Sequence, residues 1–346
     1  MTAPASMILF CRAGFEKECA AEISTRASEI GVALWCKTKE GDGVVFANSG
    51  DGAPLDALFV ELRFDELIFV RDWFLAHEVS DMQAGDRVDP LLDALVLDAY
   101  NGLWVTHADT TEGRTLSKLC RQLTGRLEGG LKSRAKYRPS VTMRAQIMLV
   151  DGGNAWVGHA PSANAAPWPM GVPRLKLGGA PSRSAAKLEE AFIWFLGDHA
   201  EALLRPGMSA ADLGAAPGGW TWQFVRRSIR VVAVDHGALR DDLMMSGLVD
   251  HCREDAFRFK PNSPLDWLVC DIVDKPSRVT SRILLWLQSG WCRFAIFNLK
   301  LPMNKRFAEV ERLLFELSAA QSWSFSAKQL YHDREEITVF AHRGRY

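Results

Sequence analysis

Residues 209–220, S-A-A-D-L-G-A-A-P-G-G-W, have the composition of a strand, a glycine turn and a helix start. The apolar run that ends in Asp212 and Leu213 is typical of a buried parallel strand. Glycines in the turn, residues 214–219, let the backbone approach a ligand, and a helix start offers free N–H groups. The stretch therefore predicts a nucleotide-binding site, and a purely structural turn is the alternative.

The spacing of these glycines argues against a dinucleotide cofactor, whose fingerprint reads G-x-G-x-x-G. No glycine stands two residues after Gly214, and Pro217 precedes the pair Gly218 and Gly219. The sequence D-L-G-A-A-P-G-G resembles motif I of RNA methyltransferases that use S-adenosylmethionine (AdoMet). The resemblance implies that Gly214, Ala216, Pro217, Gly218 and Gly219 bind AdoMet.

Two further acidic residues follow in the order that a nucleotide-binding fold requires. Asp235 closes the second predicted strand, 23 residues after Asp212, and a carboxylate at that spacing accepts hydrogen bonds from ribose hydroxyls. Asp255, in R-E-D-A-F, corresponds in methyltransferases to the carboxylate that reaches the adenine amino group. The resemblance of the whole set of motifs to one methyltransferase family implies that Ser184 and Asp271 also bind AdoMet.

Four residues resemble, in their order, the catalytic tetrad of ribose 2′-O-methyltransferases: Lys187, Asp271, Lys300 and Glu336. A ribose hydroxyl is a poor nucleophile and must lose its proton as it attacks a methyl carbon. Because a lysine pKa of about 10.4 keeps the amine protonated at neutral pH, Lys300 must be desolvated or lie beside another cation, which Lys187 could supply. Asp271 and Glu336 would orient the amines.

Each tetrad residue also has an ordinary structural interpretation. Lys187 could be a solvated helix lysine paired with Glu189 or Glu190, and Asp271 could be a turn residue. Glu336 could be a charge at a strand edge, and its neighbour Glu335 is equally eligible for the tetrad. A lysine inside N-L-K-L-P, directly after a buried strand, is the hardest of the four to explain without a function.

From residue 182 onward, predicted strands and helices alternate. The strands cover residues 230–234, 266–270 and 293–298, the helices cover 188–204, 281–289 and 307–320, and a closing hairpin pairs 324–330 with 337–343. This pattern predicts an α/β fold, a Rossmann-like class I methyltransferase domain with a mostly parallel seven-stranded sheet and ligands at the carboxyl ends of its strands.

The N-terminal half predicts a smaller α+β domain. A strand at 7–11, a helix at 15–30 and strands at 33–37 and 44–47 form the β-α-β-β opening of a ferredoxin-like unit. Alternating residues at 61–73 suggest a further half-buried element. Residues 41–110 are acidic, with 14 Asp and Glu against three arginines, which favours a solvated acidic face.

Residues 111–144 reverse the charge, with nine Lys and Arg against two Glu. A helix there would place Leu116, Leu119, Cys120, Leu123 and Leu127 on one face. Basic side chains on other faces and just beyond the helix suit RNA phosphates, and a surface that balances the acidic segment is the alternative. The predicted RNA-binding residues are Arg114, Lys118, Arg121, Arg126, Lys132, Arg134, Lys136 and Arg138.

The motifs together resemble one family. The N-terminal half resembles a ferredoxin-like part joined to a THUMP RNA-binding domain. The motifs behind it resemble those of the RlmM family of 23S rRNA (cytidine-2′-O)-ribose methyltransferases: L-G-A-A-P-G-G-W-T, A-V-D, D-I-V-D-K-P, N-L-K-L-P-M and Y-H-D-R-E-E-I-T-V, in that order. The resemblance implies AdoMet as methyl donor, Lys300 as proton acceptor, and a cytidine in the peptidyl-transferase region of 23S rRNA, before the large subunit is fully assembled.

We expect four segments. Residues 1–55 form the ferredoxin-like part, 56–160 the THUMP-like domain, 161–181 a linker rich in proline and glycine, and 182–346 the methyltransferase domain. Seven scattered cysteines favour reduced thiols without a metal site, and no segment resembles a signal peptide or membrane span. We therefore expect a cytoplasmic, metal-free monomer.

Other functions remain as alternatives. Guanine-N2 methyltransferases carry N/D-P-P-Y after the fourth strand, where this sequence reads D-I-V-D. Cytosine-C5 enzymes need a nucleophilic cysteine, and Cys270 is expected to point into the core. A non-catalytic RNA-binding protein is the alternative from another class, although Lys187, Asp271 and Lys300 are all present.

Overall fold

The computed structural model describes residues 5–175 and 177–344. The chain divides into two compact units, the first ending at Pro173 and the second beginning at Arg174. Each unit contains one seven-stranded sheet. No described helix is long and apolar enough to cross a membrane.

The first unit is built on a mostly antiparallel sheet. Its elements are β1 (Ser6–Phe10), α1 (Glu16–Glu29), β2 (Leu34–Thr38), β3 (Val44–Ser49), α2 (Ala57–Glu61), β4 (Asp72–Val79), α3 (Val88–Asp93), β5 (Leu103–His107), α4 (Thr111–Arg114), α5 (Ser117–Ser133), β6 (Met143–Leu149) and β7 (Ala155–Pro161). The strand order is β2-β3-β1-β4-β7-β6-β5, and β5 and β6 are its parallel pair.

The predicted β-α-β-β opening is confirmed by β1, α1, β2 and β3. The sheet then runs on through both predicted N-terminal parts, because β4 pairs with β1. Residues 61–73 are partly buried, as predicted, but they do not form one regular element: most of this range is a loop with one helical turn at Phe64–Glu66, and β4 begins only at Asp72. Two backbone N–H groups of this loop, at Ile68 and Phe69, donate to the buried Glu22 of α1.

Helix α5 confirms the apolar face predicted for the basic segment. Cys120, Leu123, Leu127 and Leu131 are buried among residues of α3, β5, β6 and β7. Basic residues of the same helix therefore face solvent, as the amphipathic pattern requires.

The second unit has the predicted mostly parallel sheet. Its elements are α6 (Ala185–Ala191), α7 (Ala200–Leu203), β8 (Ser209–Leu213), α8 (Gly219–Val225), β9 (Arg230–Val234), α9 (Asp241–Met245), β10 (Val249–Cys252), β11 (Trp267–Cys270), α10 (Pro276–Gln288), β12 (Phe294–Lys300), α11 (Arg306–Leu317), β13 (Trp323–Lys328) and β14 (Glu336–Arg343). The order is β10-β9-β8-β11-β12-β14-β13, with β14 antiparallel to both neighbours.

Two details of this unit differ from the sequence prediction. The single helix expected at 188–204 is divided into α6, a π-helical turn at Phe192–Leu196, a 3-10 turn at Gly197–His199, and α7. Gly197 breaks the helix because its φ is +49°, a region that favours glycine. Strand β10 was not predicted, because its four residues, V-D-H-C, lack an apolar pattern.

An aromatic cluster joins the layers of the second unit. Trp267 of β11 is fully buried, and its ring lies 4.9 Å from that of Phe294 on β12 and 6.2 Å from that of Phe340 on β14. The rings of Phe192 and Phe224 contact it from the helical layer at 6.0 and 6.2 Å. The strands that carry or precede the predicted catalytic residues Asp271, Lys300 and Glu336 are thus fixed by shared packing.

We predict that Trp267→Ala lowers the free energy of unfolding by about 3–5 kcal/mol, because it leaves a large cavity beneath the sheet. The measurement is urea denaturation followed by circular dichroism. Phe315→Ala on α11 is the matched control, because Phe315 is 79% exposed and its loss should cost within about 0.5 kcal/mol. Equal stabilities of the two variants would contradict the prediction.

Candidate active site

Four parallel strands end side by side at one edge of the second sheet. They are β9, β8, β11 and β12, in that spatial order. The residues that follow them include Asp235, Gly214, Asp271 and the terminal Lys300. In open α/β sheets this edge is where ligands bind, so the topology gathers residues that are up to 86 positions apart, from Gly214 to Lys300, into one region.

The glycine turn after β8 leaves no room for side chains. Gly214 and Gly218 have φ of +79° and +105°, which L residues rarely adopt. A Cβ on Gly218 would lie 2.3 Å from Cδ1 of Leu243, and one on Gly219 would lie 2.3 Å from Oγ of Ser182. The turn, completed by Ala216 and Pro217, therefore presents backbone at its surface, and this fits the close approach of a nucleoside ligand.

Asp235 lies beside that turn. Its Oδ2 accepts the Ala216 N–H at 3.0 Å, and its Oδ1 accepts the Gly237 N–H at 2.7 Å. These bonds fix the carboxylate while each oxygen keeps a lone pair, which matches the chemistry of a ribose diol acceptor.

The other predicted cofactor residues are more dispersed. Ser184 directly precedes α6, and its backbone oxygen accepts the Trp220 indole N–H at 3.0 Å, which places it against α8. Asp255 lies in the loop after β10 with its side chain 40% exposed, and its Oδ1 accepts the Phe257 N–H at 2.9 Å. Neither residue belongs to the tetrad.

Asp212 has a role that sequence reasoning missed. It is buried on β8, its Oδ2 accepts the Thr221 hydroxyl of α8 at 2.6 Å, and burial raises the pKa of its carboxyl to about 7. The pair spans the glycine turn, so it holds the strand and the helix together on either side of the predicted cofactor site.

The four predicted catalytic residues meet in one cluster. Lys187 Nζ on α6 lies 3.1 Å from Asp271 Oδ2 and 2.5 Å from Glu336 Oε1. Lys300 Nζ lies 3.2 Å from Asp271 Oδ1 and also contacts Glu336 Oε2. Each amine is therefore held by both carboxylates.

The pairing of β12 with β14 decides which glutamate joins the cluster. Lys300 and Glu336 are directly opposite in this antiparallel ladder, so their side chains share a face. Glu335, on the other face, pairs with Arg306 Nη2 at 2.7 Å and is 60% exposed. Sequence reasoning left these two neighbours equivalent.

The surroundings of Lys300 suit a proton acceptor. Burial lowers the pKa of its amine from the ordinary value, and the positive charge of Lys187 acts in the same direction, while Asp271 opposes both. A lysine with a lowered pKa that is held by carboxylates can take a proton from a hydroxyl group. Among the described residues, no cluster of His, Cys, Asp and Glu could hold a metal ion.

Three of the predicted RNA-binding residues are engaged within the first unit. Arg134 pairs with Asp89 at 2.7 Å and with Asp93 at 2.5 Å, Lys136 Nζ donates to the Leu95 carbonyl at 2.5 Å, and Arg114 pairs with Asp109. Part of the basic segment thus balances acidic neighbours, as the alternative interpretation held.

The other basic residues of the segment lie on the surface. Lys118, Arg121 and Arg126 are exposed on α5. Arg138 is exposed beyond the helix, and Lys132 lies over the ring of Tyr137, 5.6 Å from its centroid.

Comparisons with known proteins agree with this fold. Residues 180–295 match the model of FtsJ-like methyltransferases, residues 5–74 match the RlmM ferredoxin-like domain, and residues 86–160 match the N-terminal domain of ribosomal RNA large subunit methyltransferase M. The fold class is therefore a Rossmann-like methyltransferase domain behind a ferredoxin-like one.

Full-length relatives define the family. The ribosomal RNA large subunit methyltransferases M of Xanthomonas campestris pv. campestris (strain B100) and Methylococcus capsulatus are 45% and 46% identical to this chain, each covering 98% of it and 99% of the relative. The chain belongs to the ribosomal RNA large subunit methyltransferase M family. Among solved structures, TrmN from Thermus thermophilus aligns over 99% of this chain and 100% of its own, at 13% identity and a TM-score of 0.36.

We predict that Gly218→Ala raises the Kd for AdoMet at least about tenfold, since a side chain strains this backbone by roughly 1–2 kcal/mol and displaces Leu243. Isothermal titration calorimetry measures the Kd. Gly247→Ala is the matched control, because Gly247 also has a positive φ, +69°, but no heavy atom within 4 Å of its Cβ position. Wild-type affinity in the Gly218 variant would contradict the assignment of the turn.

Proposed function

We propose that this protein transfers a methyl group from AdoMet to the ribose 2′-hydroxyl of a cytidine in the peptidyl-transferase region of 23S rRNA. The observation that carries the proposal is the cluster in which Lys187 and Lys300 each contact Asp271 and Glu336. Membership of a family of rRNA methyltransferases supports rRNA as the substrate. The cytidine and its region come from the family resemblance of the motifs.

The four clustered residues divide the catalytic work. When bound, AdoMet supplies an electrophilic methyl carbon. Lys300, whose pKa is lowered by burial and by Lys187, accepts the proton of the 2′-hydroxyl as the oxygen attacks. The charge of Lys187 favours the neutral amine of Lys300, and Asp271 with Glu336 holds both amines in position.

The residues beside the glycine turn would hold the cofactor. Asp235 is the acceptor for the ribose hydroxyls, and the backbone of residues 214–219 lies against the nucleoside. Asp255 serves the adenine amino group, and Ser184 and Asp271 complete the set. The support is the open backbone of the turn and the fixed carboxylate of Asp235.

We infer that the first unit binds RNA through the exposed basic residues of α5 and those next to it. The protein would act in the cytoplasm as a monomer, on 23S rRNA before the large subunit is fully assembled. The support is the charge of the segment, nine basic residues against two acidic ones.

Base methylation through a cysteine is disfavoured by the state of Cys270. The thiol is buried on β11, and burial raises its pKa to about 12. Since the thiolate is the nucleophile, this thiol is in its inert form at neutral pH.

We predict that Lys300→Ala lowers methyl transfer about 10²–10⁴-fold, the usual contribution of a general base, while the Kd for AdoMet stays unchanged. The measurement uses labelled AdoMet and protein-free 23S rRNA, followed by identification of the labelled nucleoside. Lys260→Ala, at an exposed lysine of the same unit, is the control and should retain full activity.

The label distinguishes the candidate functions. Label on the ribose of a cytidine, lost in the Lys300 variant, supports the proposal. Label on a nucleobase would overturn the ribose mechanism. Absence of label from all RNA would favour a non-catalytic RNA-binding protein.

We predict that replacing Lys118, Arg121 and Arg126 together by Ala weakens rRNA binding and reduces the slope of log K against log salt by about 2, or roughly 0.7 for each lost phosphate contact. Filter binding over a series of salt concentrations measures both. The matched control replaces Lys17, Lys39 and Arg63, three exposed basic residues outside the segment. An equal change of slope in both triple variants would show that α5 is not the binding surface.

A further inference from the structure

A chain of buried polar side chains lies behind the tetrad. Asn298 Nδ2 donates to Asp271 Oδ1 at 3.0 Å, and Asn298 Oδ1 lies 2.9 Å from the Thr338 hydroxyl. The Thr338 hydroxyl also lies 2.9 and 3.1 Å from the carboxyl oxygens of Asp333. Asn298, Thr338 and Asp333 are fully buried, so solvent does not compete for these contacts.

Counting the hydrogen-bond donors shows which group donates in each of these contacts. The Asp271 carboxylate accepts from two lysines, so Asn298 must turn its NH2 group toward Asp271 and its carbonyl toward Thr338. A carbonyl only accepts, so the single hydroxyl proton of Thr338 goes to Asn298. The remaining contact, between Asp333 and Thr338, then needs a proton from Asp333.

The charges around Asp333 support a protonated carboxyl group. Burial raises its pKa to about 7, and the carboxylate of Glu190 on α6 acts in the same direction. The Leu330 N–H, the charge of Lys187 on α6 and the hydrogen bond to Thr338 oppose these two effects. Asp333 in turn raises the pKa of Lys300 on β12. Glu190 is held as an acceptor by the N–H groups of Tyr331 and His332 and by the His332 ring.

We propose that Asp333 is a positioning residue whose carboxyl proton orders the hydrogen bonds from Asp333 through Thr338 and Asn298 to Asp271. The ordered chain keeps Asp271 between Lys187 and Lys300. Loss of that proton lets the Thr338 hydroxyl turn to Asp333, and Asn298 then loses its donor and its fixed orientation. The effect on methyl transfer rests on the function proposed above.

The variant Asp333→Asn tests whether the Asp333 carboxyl group carries a proton. An asparagine amide donates to Thr338 as the acid does, its carbonyl accepts the Leu330 N–H that Asp333 Oδ2 now accepts, and it does not titrate. The infrared difference spectrum between wild type and variant, recorded at neutral pH without substrate, should contain the carbonyl stretch of a protonated carboxylic acid. Absence of that band would overturn the proposal whatever reaction the site performs.

The pH profile of kcat tests the consequence. We expect the ratio of variant to wild-type kcat to rise roughly threefold or more between about pH 6.5 and pH 8.5, because only wild type loses the ordering proton. A constant ratio would contradict the proposal. Asp250→Asn, an exposed aspartate on β10, is the control and should follow wild type at every pH.

A second pair of variants tests the chain without touching Asp333. Thr338→Val removes the hydroxyl at nearly constant volume and should lower kcat about tenfold while the Kd for AdoMet stays unchanged. Thr338→Ser keeps the hydroxyl and should restore most of kcat. Wild-type kcat in the valine variant would overturn the positioning role. Absence of methyl transfer in the wild type as well as in the variants would contradict the proposed function, and the infrared measurement would then still test the proton on Asp333.

Discussion

The Asp271 carboxylate, which accepts from Lys187, Lys300 and Asn298, is the interaction on which the site depends. A charge about 4 Å away contributes about 4 kcal/mol at an effective dielectric constant near 20, and that corresponds to about three pKa units. One added cation can therefore offset one carboxylate. Lys187 offsets part of the effect of the carboxylates on Lys300, and burial, the largest influence on the pKa of Lys300, decides the sign of the shift. In the proposed mechanism the second lysine is therefore needed for proton transfer, although it is not the proton acceptor.

Strand pairing sets this geometry more than local sequence does. The antiparallel ladder of β12 and β14 places Lys300 opposite Glu336 and Asn298 opposite Thr338. A slip of one residue would turn every one of these side chains to the other face of the sheet. The aromatic cluster around Trp267 packs against Phe294 of β12 and Phe340 of β14. Because side chains two residues apart share a strand face, this cluster lies on the same face of the sheet as the polar site, and its packing also fixes the register of that site.

Local patterns were enough to predict the glycine turn, the acidic strand ends and the mostly parallel sheet, because each depends on residues close together in the chain. Choosing between Glu335 and Glu336 needed the register of β14. Recognising the hydrogen-bonded side chains from Asp333 to Asn298 also needed the register of β14. The sequence shows only that Asn298 and Lys300 share one strand face, and that Glu336 and Thr338 share another, because the members of each pair are two residues apart. Arg134 could not be recognised as paired, because Asp89 and Asp93 lie more than 40 positions away.

The two buried acids beside the tetrad bear on how Lys300 loses its proton. Burial raises the pKa of both Asp212 and Asp333 to about 7, so each carboxyl is about half protonated at neutral pH and largely neutral below it. If Asp333 were ionised, its charge would raise the pKa of Lys300 and hold the amine protonated. A neutral Asp333 supplies its hydrogen bond without that charge. The negative charge next to Lys300 is then confined to Asp271 and Glu336, the two carboxylates that hold the amine in place.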